Sequence, residues 1–235
     1  MEVQQLILEK AFDLFKRYGI RSVSMDDIAS QCGMSKKTLY QHYADKDTLI
    51  HIILVHMVSK SESQCCTISQ KSENAMHEIF LSIDMLQEMF GDINPIMLFD
   101  LHKYHQMAYK KLDDHKQQFI YSITKKNIER GIAEGVFRPE INVEIMTHLH
   151  LHTISMTFEQ EMLPRQKFSL AAIQMEVMLH YAYGLATAKG VKLIEKYKQQ
   201  RAAALQPAWP HSGTQQYLPK QSIQKNFRWN ECSPP

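Results

Sequence analysis

Two adjacent lysines, Lys36 and Lys37, are followed within one short stretch by Thr38, Tyr40, Gln41 and His42. These side chains suit a polyanion with readable edges. A lysine ammonium donates to guanine O6 and N7, a glutamine amide both donates and accepts as adenine requires, and hydroxyl and imidazole groups reach phosphate oxygens. The Tyr40 ring can instead pack on a thymine methyl. Adjacent lysines more commonly form a solvated charged face, so the meaning of this set depends on the element that presents it.

A second set lies at helical spacing further on: His148, His152, Ser155 and Glu159, bordered by Met146, Leu149, Ile154, Met156 and Phe158. His148 and His152 have the i, i+4 separation that can hold zinc, but no further ligand is fixed by spacing. Pocket lining and satisfied interface or surface histidines stay open beside that reading, and no metal is assigned. Cys32, Cys65, Cys66 and Cys232 lack the two-residue spacing of a zinc ribbon and read as reduced thiols. A nucleotide-binding glycine loop, a nucleophile motif and a spaced acid pair are all missing, so catalysis and cofactors are not expected.

The elements that must position the lysine set are short helices. From Val3, the residues Ile7, Leu14, Phe15 and Tyr18 recur at helical spacing until Gly19, a left-handed stop. Ser24 precedes Met25-Asp26-Asp27-Ile28, placing a hydroxyl cap and two carboxylates in the first turn of a second helix that ends near Gly33. Ser35 then caps Lys36 to Tyr43. Two short helices joined by a tight glycine turn make a helix-turn-helix, and Asp45 opens a longer helix through Ile50, Ile53, Leu54, Met57 and Val58.

The run GIRSVSMDDIASQCGMSKKTLYQHYADKDTLI, Gly19 to Ile50, resembles the DNA-binding domain of TetR/AcrR regulators. The likeness rests on Gly19, Gly33, Ser24, Ile28-Ala29, Ser35, Thr38-Leu39-Tyr40, an aromatic at Tyr43, and Lys46. It departs from the family at Ser24, where Thr is commoner, at Tyr43, usually Phe, and at Cys32, generally an apolar residue such as Leu. The resemblance implies a homodimer whose recognition helices read a palindromic operator in double-stranded DNA. Expected DNA contacts are Ser24, Ser35, Lys36, Lys37, Thr38, Tyr40, Gln41, His42 and Lys46, the last sharing a phosphate with a helix N-terminus. Lys10, Lys16, Arg17, Arg21, Lys36, Lys37 and Lys46 are cancelled by Glu2, Glu9, Asp13, Asp26, Asp27, Asp45 and Asp47. Non-specific affinity should therefore be modest, and two half-sites should be needed.

Beyond this region, helical patterns cover roughly 72–90, 95–105, 108–134, 143–161, 170–189 and 191–201, broken at Gly91-Asp92, Asn94-Pro95, Gly135 with Arg138-Pro139, and Leu163-Pro164, with Gly190 a kink. The expected fold is all-α, with a DNA-binding domain at 1–47, a larger helical bundle for ligand binding and dimerisation at 48–202, and a flexible tail at 203–235. In that tail Trp209 and Trp229 are isolated aromatics. The family's inducer cavity lies inside the bundle, where this chain supplies Met85, Met89, Met97 and Phe99. His102, Tyr104, His105, Tyr109, Phe119, Tyr121 and His152 are the expected ligand contacts. The family dimerises through its last long helices, which points to Ile173, Val177, Tyr181, Gly184 and Ala188 as a seam, with intramolecular core as the competing reading of the same spacing.

The composition agrees with long helices, at 44% hydrophobic with 8 Gly and 8 Pro in 235 residues. A net charge of +2 does not mark a nucleic-acid binder by itself. The longest apolar run, Leu49 to Val58, is interrupted by His51 and His56 and is too short for a bilayer, and Met1 to Lys10 lacks a signal-peptide pattern. A cytoplasmic repressor released from its operator by an unidentified small-molecule effector is the expected function. An architectural or adaptor protein of the same fold without ligand response is the alternative.

Overall fold

The computed structural model describes residues 3–156 and 168–205, and their regular structure is helical. The elements are α1 (Val3–Tyr18), α2 (Met25–Gln31), α3 (Lys36–His42), α4 (Lys46–Lys71), α5 (Ala75–Phe90), α6 (Pro95–Tyr104) and α7 (Gln106–His115). After a π-helical stretch, Lys116–Ile120, come α8 (Tyr121–Ala133), α9 (Val143–Met156), α10 (Leu170–Leu185) and α11 (Ala188–Leu205). The all-α expectation holds. Most starts carry a local cap: Asp45 accepts the Thr48 N–H, Asn74 accepts the His77 N–H, Asn94 accepts the Ile96 N–H ahead of Pro95, and Ser169 accepts the Ala172 N–H. The stretch 157–167, including Phe158, Glu159 and the Leu163-Pro164 break, lies outside the described residues, as do Trp209, Trp229 and Cys232.

Apolar side chains gather into two cores. The first joins Ile7, Phe12 and Phe15 of α1, Ile28 of α2 and Leu39 of α3 to Leu49 and Ile53 of α4 and Met97 and Leu101 of α6. Packing thus runs uninterrupted across residue 47, from the helix-turn-helix into the body. The second core joins Ile79, Phe80 and Ile83 of α5, Ile128 of α8, Met178, Ala182 and Leu185 of α10, and Ile194 and Tyr197 of α11 around Phe137. Each fully buried side chain of this size stabilises the fold by roughly 1.5–3 kcal/mol. α4 runs about three turns past its apolar stretch because nothing after Ser59 breaks it, and its far end buries Cys65. Burial pushes that thiol up to about 11, so it is a protonated core residue, and Cys32, Cys65 and Cys66 are all free.

The break expected at Gly190, between helices at 170–189 and 191–201, falls four residues earlier, between α10 and α11. α10 stops at Leu185 because the segment after α8 pairs with the chain there: the Arg138 N–H donates to Leu185 O at 2.9 Å, and the Thr187 N–H donates to Val136 O at 3.0 Å. Thr187 Oγ1 then accepts the Gly190 N–H at 3.2 Å and starts α11. Gly190, expected as a kink, sits where a Cβ would lie 2.2 Å from Val136 O. α11 also continues to Leu205, past the expected end of the body.

Candidate nucleic-acid interface

The helix-turn-helix is assembled by reciprocal caps. Ser24 Oγ accepts the Asp27 N–H at 3.2 Å, and the Asp27 carboxylate accepts the Ser24 N–H at 2.8 Å and its hydroxyl at 2.6 Å. The Ser24 hydroxyl holds the Asp27 carboxyl below its ordinary value. Gly33, with φ +66°, turns the chain, and the Met34 N–H closes on Ala29 O at 3.0 Å. Ser35 Oγ then accepts the Thr38 N–H at 3.1 Å and stands 2.8 Å from Thr38 Oγ1. Ser24, Ser35 and Thr38 are therefore engaged first in building the motif.

The inner side of α3 is fixed by Leu39, fully buried, and by Tyr43, whose phenol donates to Gln4 O at 3.3 Å. Spacing by three and four residues then leaves Lys36, Lys37, Tyr40 and Gln41 together on the exposed side, with His42 half-buried at its end. The four exposed side chains differ in freedom. The Lys36 ammonium pairs with Asp26 of α2 at 2.8 Å and lies 6.0 Å from the Tyr40 ring. That hydrogen bond to Asp26 raises the lysine above its ordinary value. Lys37 and Gln41 have no hydrogen-bond or charge partner among the described residues. From the sequence Asp26 reads as a helix-dipole carboxylate and as one acid in the charge balance; its pairing with Lys36 joins two helices and has no signal in local spacing.

Lys46 corrects an expectation. Its ammonium turns inward and donates to Ile20 O and Val23 O, both at 2.8 Å, so it ties the start of α4 to the α1–α2 turn instead of facing a phosphate. Burial is the main reason its pKa is lowered, opposed by the charges of Asp100 and Asp47.

Residues 7–52 match the family model described as bacterial regulatory proteins, tetR family. That segment belongs to the family. The uncharacterized HTH-type transcriptional regulator YvaF of Bacillus subtilis is 24% identical over 168 residues, 71% of this chain and 87% of its own. The HTH-type transcriptional repressor KstR2 of Mycobacterium tuberculosis is 23% identical over 145 residues, 60% of this chain and 72% of its own. Its solved structure superposes with a TM-score of 0.56 over 79% of this chain and 96% of that one, at 17% identity. A TetR family regulator from Agrobacterium tumefaciens has a TM-score of 0.65 over 79% and 98%, at 15% identity.

The helices of this TetR-family segment are bolted to the body through α6. Gly19, at φ +82°, ends α1 where a Cβ would meet Ile96 Cγ2 at 2.8 Å and Asp100 Oδ2 at 3.0 Å. The buried Asp100 carboxylate accepts the Arg21 N–H at 2.8 Å, and the Arg21 side chain reaches the Tyr104 hydroxyl at 3.2 Å. Asn94 adds N–H bonds to Lys16 O and Arg17 O at 2.8 and 3.1 Å. His105 Nδ1 lies 2.6 Å from Asp47 Oδ1, next to Lys46.

These contacts also show why most of the expected ligand residues are misplaced for an interior site. α6 turns Met97, Asp100 and Leu101 inward, which puts His102 and Tyr104 outside and His105 against Asp47. The Tyr121 hydroxyl donates to Glu144 at 2.6 Å near the surface, and His152 is exposed. Tyr109 is half-buried, packed on the first core and tilted against His102 at 4.5 Å, and Phe119 stacks on His115 at 5.3 Å. His148 lies 3.6 Å from Glu144, and among the described residues no cluster of three His, Cys, Asp or Glu could hold a metal.

The expected seam divides in the same way. Ile173 belongs to the inward row of α10 with Leu170, Gln174, Met178, Ala182 and Leu185, and Tyr181 turns its hydroxyl inward, so these two face the protomer's own interior. Val177 is half-buried, while Gly184 and Ala188 are exposed. Beside them α9 exposes Ile145, Leu149 and Met156; the sequence reading put Leu149 and Met156 around the histidine stripe and did not single out Ile145.

Proposed function

We propose that this regulator is a homodimeric repressor that reads two operator half-sites with paired copies of α3 and is released by a small molecule bound in its helical body. One observation carries the DNA-reading part: Leu39 and Tyr43 anchor α3 so that Lys37, Tyr40 and Gln41 stand exposed on one side of a capped helix, the geometry that enters a major groove. Residues 1–47 serve recognition and 48–202 serve ligand binding and dimerisation, with α11 carrying the body on to Leu205. The repressor KstR2 supports the direction of control. The transcriptional regulator FadR of Bacillus subtilis, solved in complex with stearoyl-CoA and similar in fold at a TM-score of 0.59, supports a ligand-holding body. Selecting duplexes from a random pool, with and without candidate small molecules, tests the reading. An inverted repeat released by one compound class is expected; retention with no sequence preference would defeat it.

The dimer seam is the α9–α10 surface carrying exposed Ile145, Leu149, Met156 and Gly184 with half-buried Val177, apolar or small residues that permit close helix approach. A Cβ at Gly184 meets nothing within 4 Å in the protomer. Gly184→Leu should therefore keep the protomer's helicity while raising the dimer dissociation constant at least about tenfold, a loss of roughly 1.4 kcal/mol. Sedimentation equilibrium reads this directly, and an unchanged association constant would move the seam elsewhere.

A further inference from the structure

His150 of α9 and Tyr181 of α10 are stacked with ring centroids 3.9 Å apart and planes at 22°. His150 Nδ1 and the Tyr181 hydroxyl are both buried, and neither has a hydrogen-bond partner. Native interiors satisfy nearly all such atoms, because a buried polar group without a partner destabilises the fold. Two on adjoining rings indicate a place built for a third group. Methionine borders the pair on both helices: half-buried Met146 lies one turn before His150 on α9 and buried Met178 three residues before Tyr181 on α10, both at the second core, and methionine adapts to irregular shapes.

The charges around the pair are committed elsewhere. Glu144 on α9 is exposed and bonded to Tyr121 and Lys125, and Glu176 on α10 is exposed. From the π-helical stretch, the Lys116 ammonium is held by Asp113 at 2.8 Å and donates to Ser155 of α9 at 3.0 Å. A charged ligand group would thus meet no free counter-charge, and burying it unpaired is costly.

We propose that His150 and Tyr181 are the polar end of a ligand site between α9 and α10 that takes an uncharged, largely apolar molecule carrying a hydroxyl or a carbonyl. The tyrosine hydroxyl donates to a carbonyl or hydroxyl oxygen, and the imidazole nitrogen accepts from a hydroxyl or, in its other tautomer, donates. Burial agrees with two neutral partners, lowering the imidazole to about 4 and raising the phenol. The site deepens the ligand-released reading and rests on it for its regulatory meaning, but binding itself can be measured without DNA.

Calorimetric titration of the full chain with octanol, octanone, octane and octanoate tests the assignment. Octanol and octanone should bind saturably, about tenfold more tightly than octane and more tightly than octanoate. Tyr181→Phe should lose about tenfold for octanone, yet melt at a higher temperature without any probe because the orphaned hydroxyl is gone. His150→Leu should weaken octanol by a similar factor. No saturable binding of octanol or octanone, equal binding of octane, tighter binding of octanoate, or a Tyr181→Phe protein with raised melting temperature and unchanged affinities would each overturn the site, the last by revealing a pair that holds water alone. Octanol bound through the pair without operator release would uphold the site and defeat the ligand-released reading.

Discussion

Lys37→Ala is expected to remove selective operator binding while leaving the melting temperature of the protein unchanged. The side chain is exposed on α3 without a partner among the described residues, so its removal breaks nothing in the fold. A lysine on guanine contributes roughly 1–3 kcal/mol of base discrimination. A dimer presents it twice, which makes the expected loss about 2–6 kcal/mol, or roughly thirtyfold to ten-thousandfold in affinity. Lys36→Ala should behave differently. Its ammonium is shared with Asp26, so the effect should be smaller, nearly equal on selected and scrambled duplexes, and visible as a shallower salt dependence. Asp26→Asn frees Lys36 and should raise binding to both duplexes alike. Fluorescence anisotropy on the two duplexes separates these outcomes: an equal loss on both for Lys37→Ala would make it a phosphate contact and leave base reading to Gln41 and Tyr40.

The contrast between the two lysines marks the boundary of what local sequence can say. Ser24, Ser35, Gly19 and Gly33 were legible because a cap or a left-handed residue acts on its own turn, and the helix-turn-helix is made of such turns. Within α3 the expected contacts left out Leu39 alone, and its burial narrows the outward side to Lys36, Lys37, Tyr40 and Gln41. What Lys46 does was not legible, because the carbonyls of Ile20 and Val23 that hold its ammonium lie more than twenty residues away in the chain. Likewise α6 could be placed as a helix but not rotated. Its inward face is chosen by Asp100 meeting the Arg21 N–H beside Gly19, a contact across 79 positions, and that choice sends His102 and Tyr104 to the surface. On α10 the periodicity gave an apolar side without saying which neighbour covers it. Ile173 and Tyr181 therefore read as seam when they face the protomer's own interior, while Ile145 and Leu149 on α9 are the exposed ones.

Gly190→Ala should destabilise the protein, although alanine in a helix interior ordinarily gains about 1 kcal/mol over glycine. The sign reverses because the new Cβ would stand 2.2 Å from Val136 O and 3.1 Å from the Ala186 Cβ. The carbonyl cannot move aside cheaply. It accepts the Thr187 N–H at 3.0 Å, in the connection that ends α10 and begins α11, and Val136 itself is buried against fully buried Phe137. Overpacking of this kind costs roughly 1–3 kcal/mol or somewhat more. Less the propensity gain, a net loss of about 1–2 kcal/mol lowers the melting temperature of a chain this size by about 2–8 °C. Gly184→Ala is the control within the protomer, where its Cβ meets nothing within 4 Å; melted at a protein concentration low enough to separate the copies, it should hold or rise in melting temperature. Two variants that melt alike would mean that α11 does not approach Val136 this closely, and the break between α10 and α11 would then need another cause.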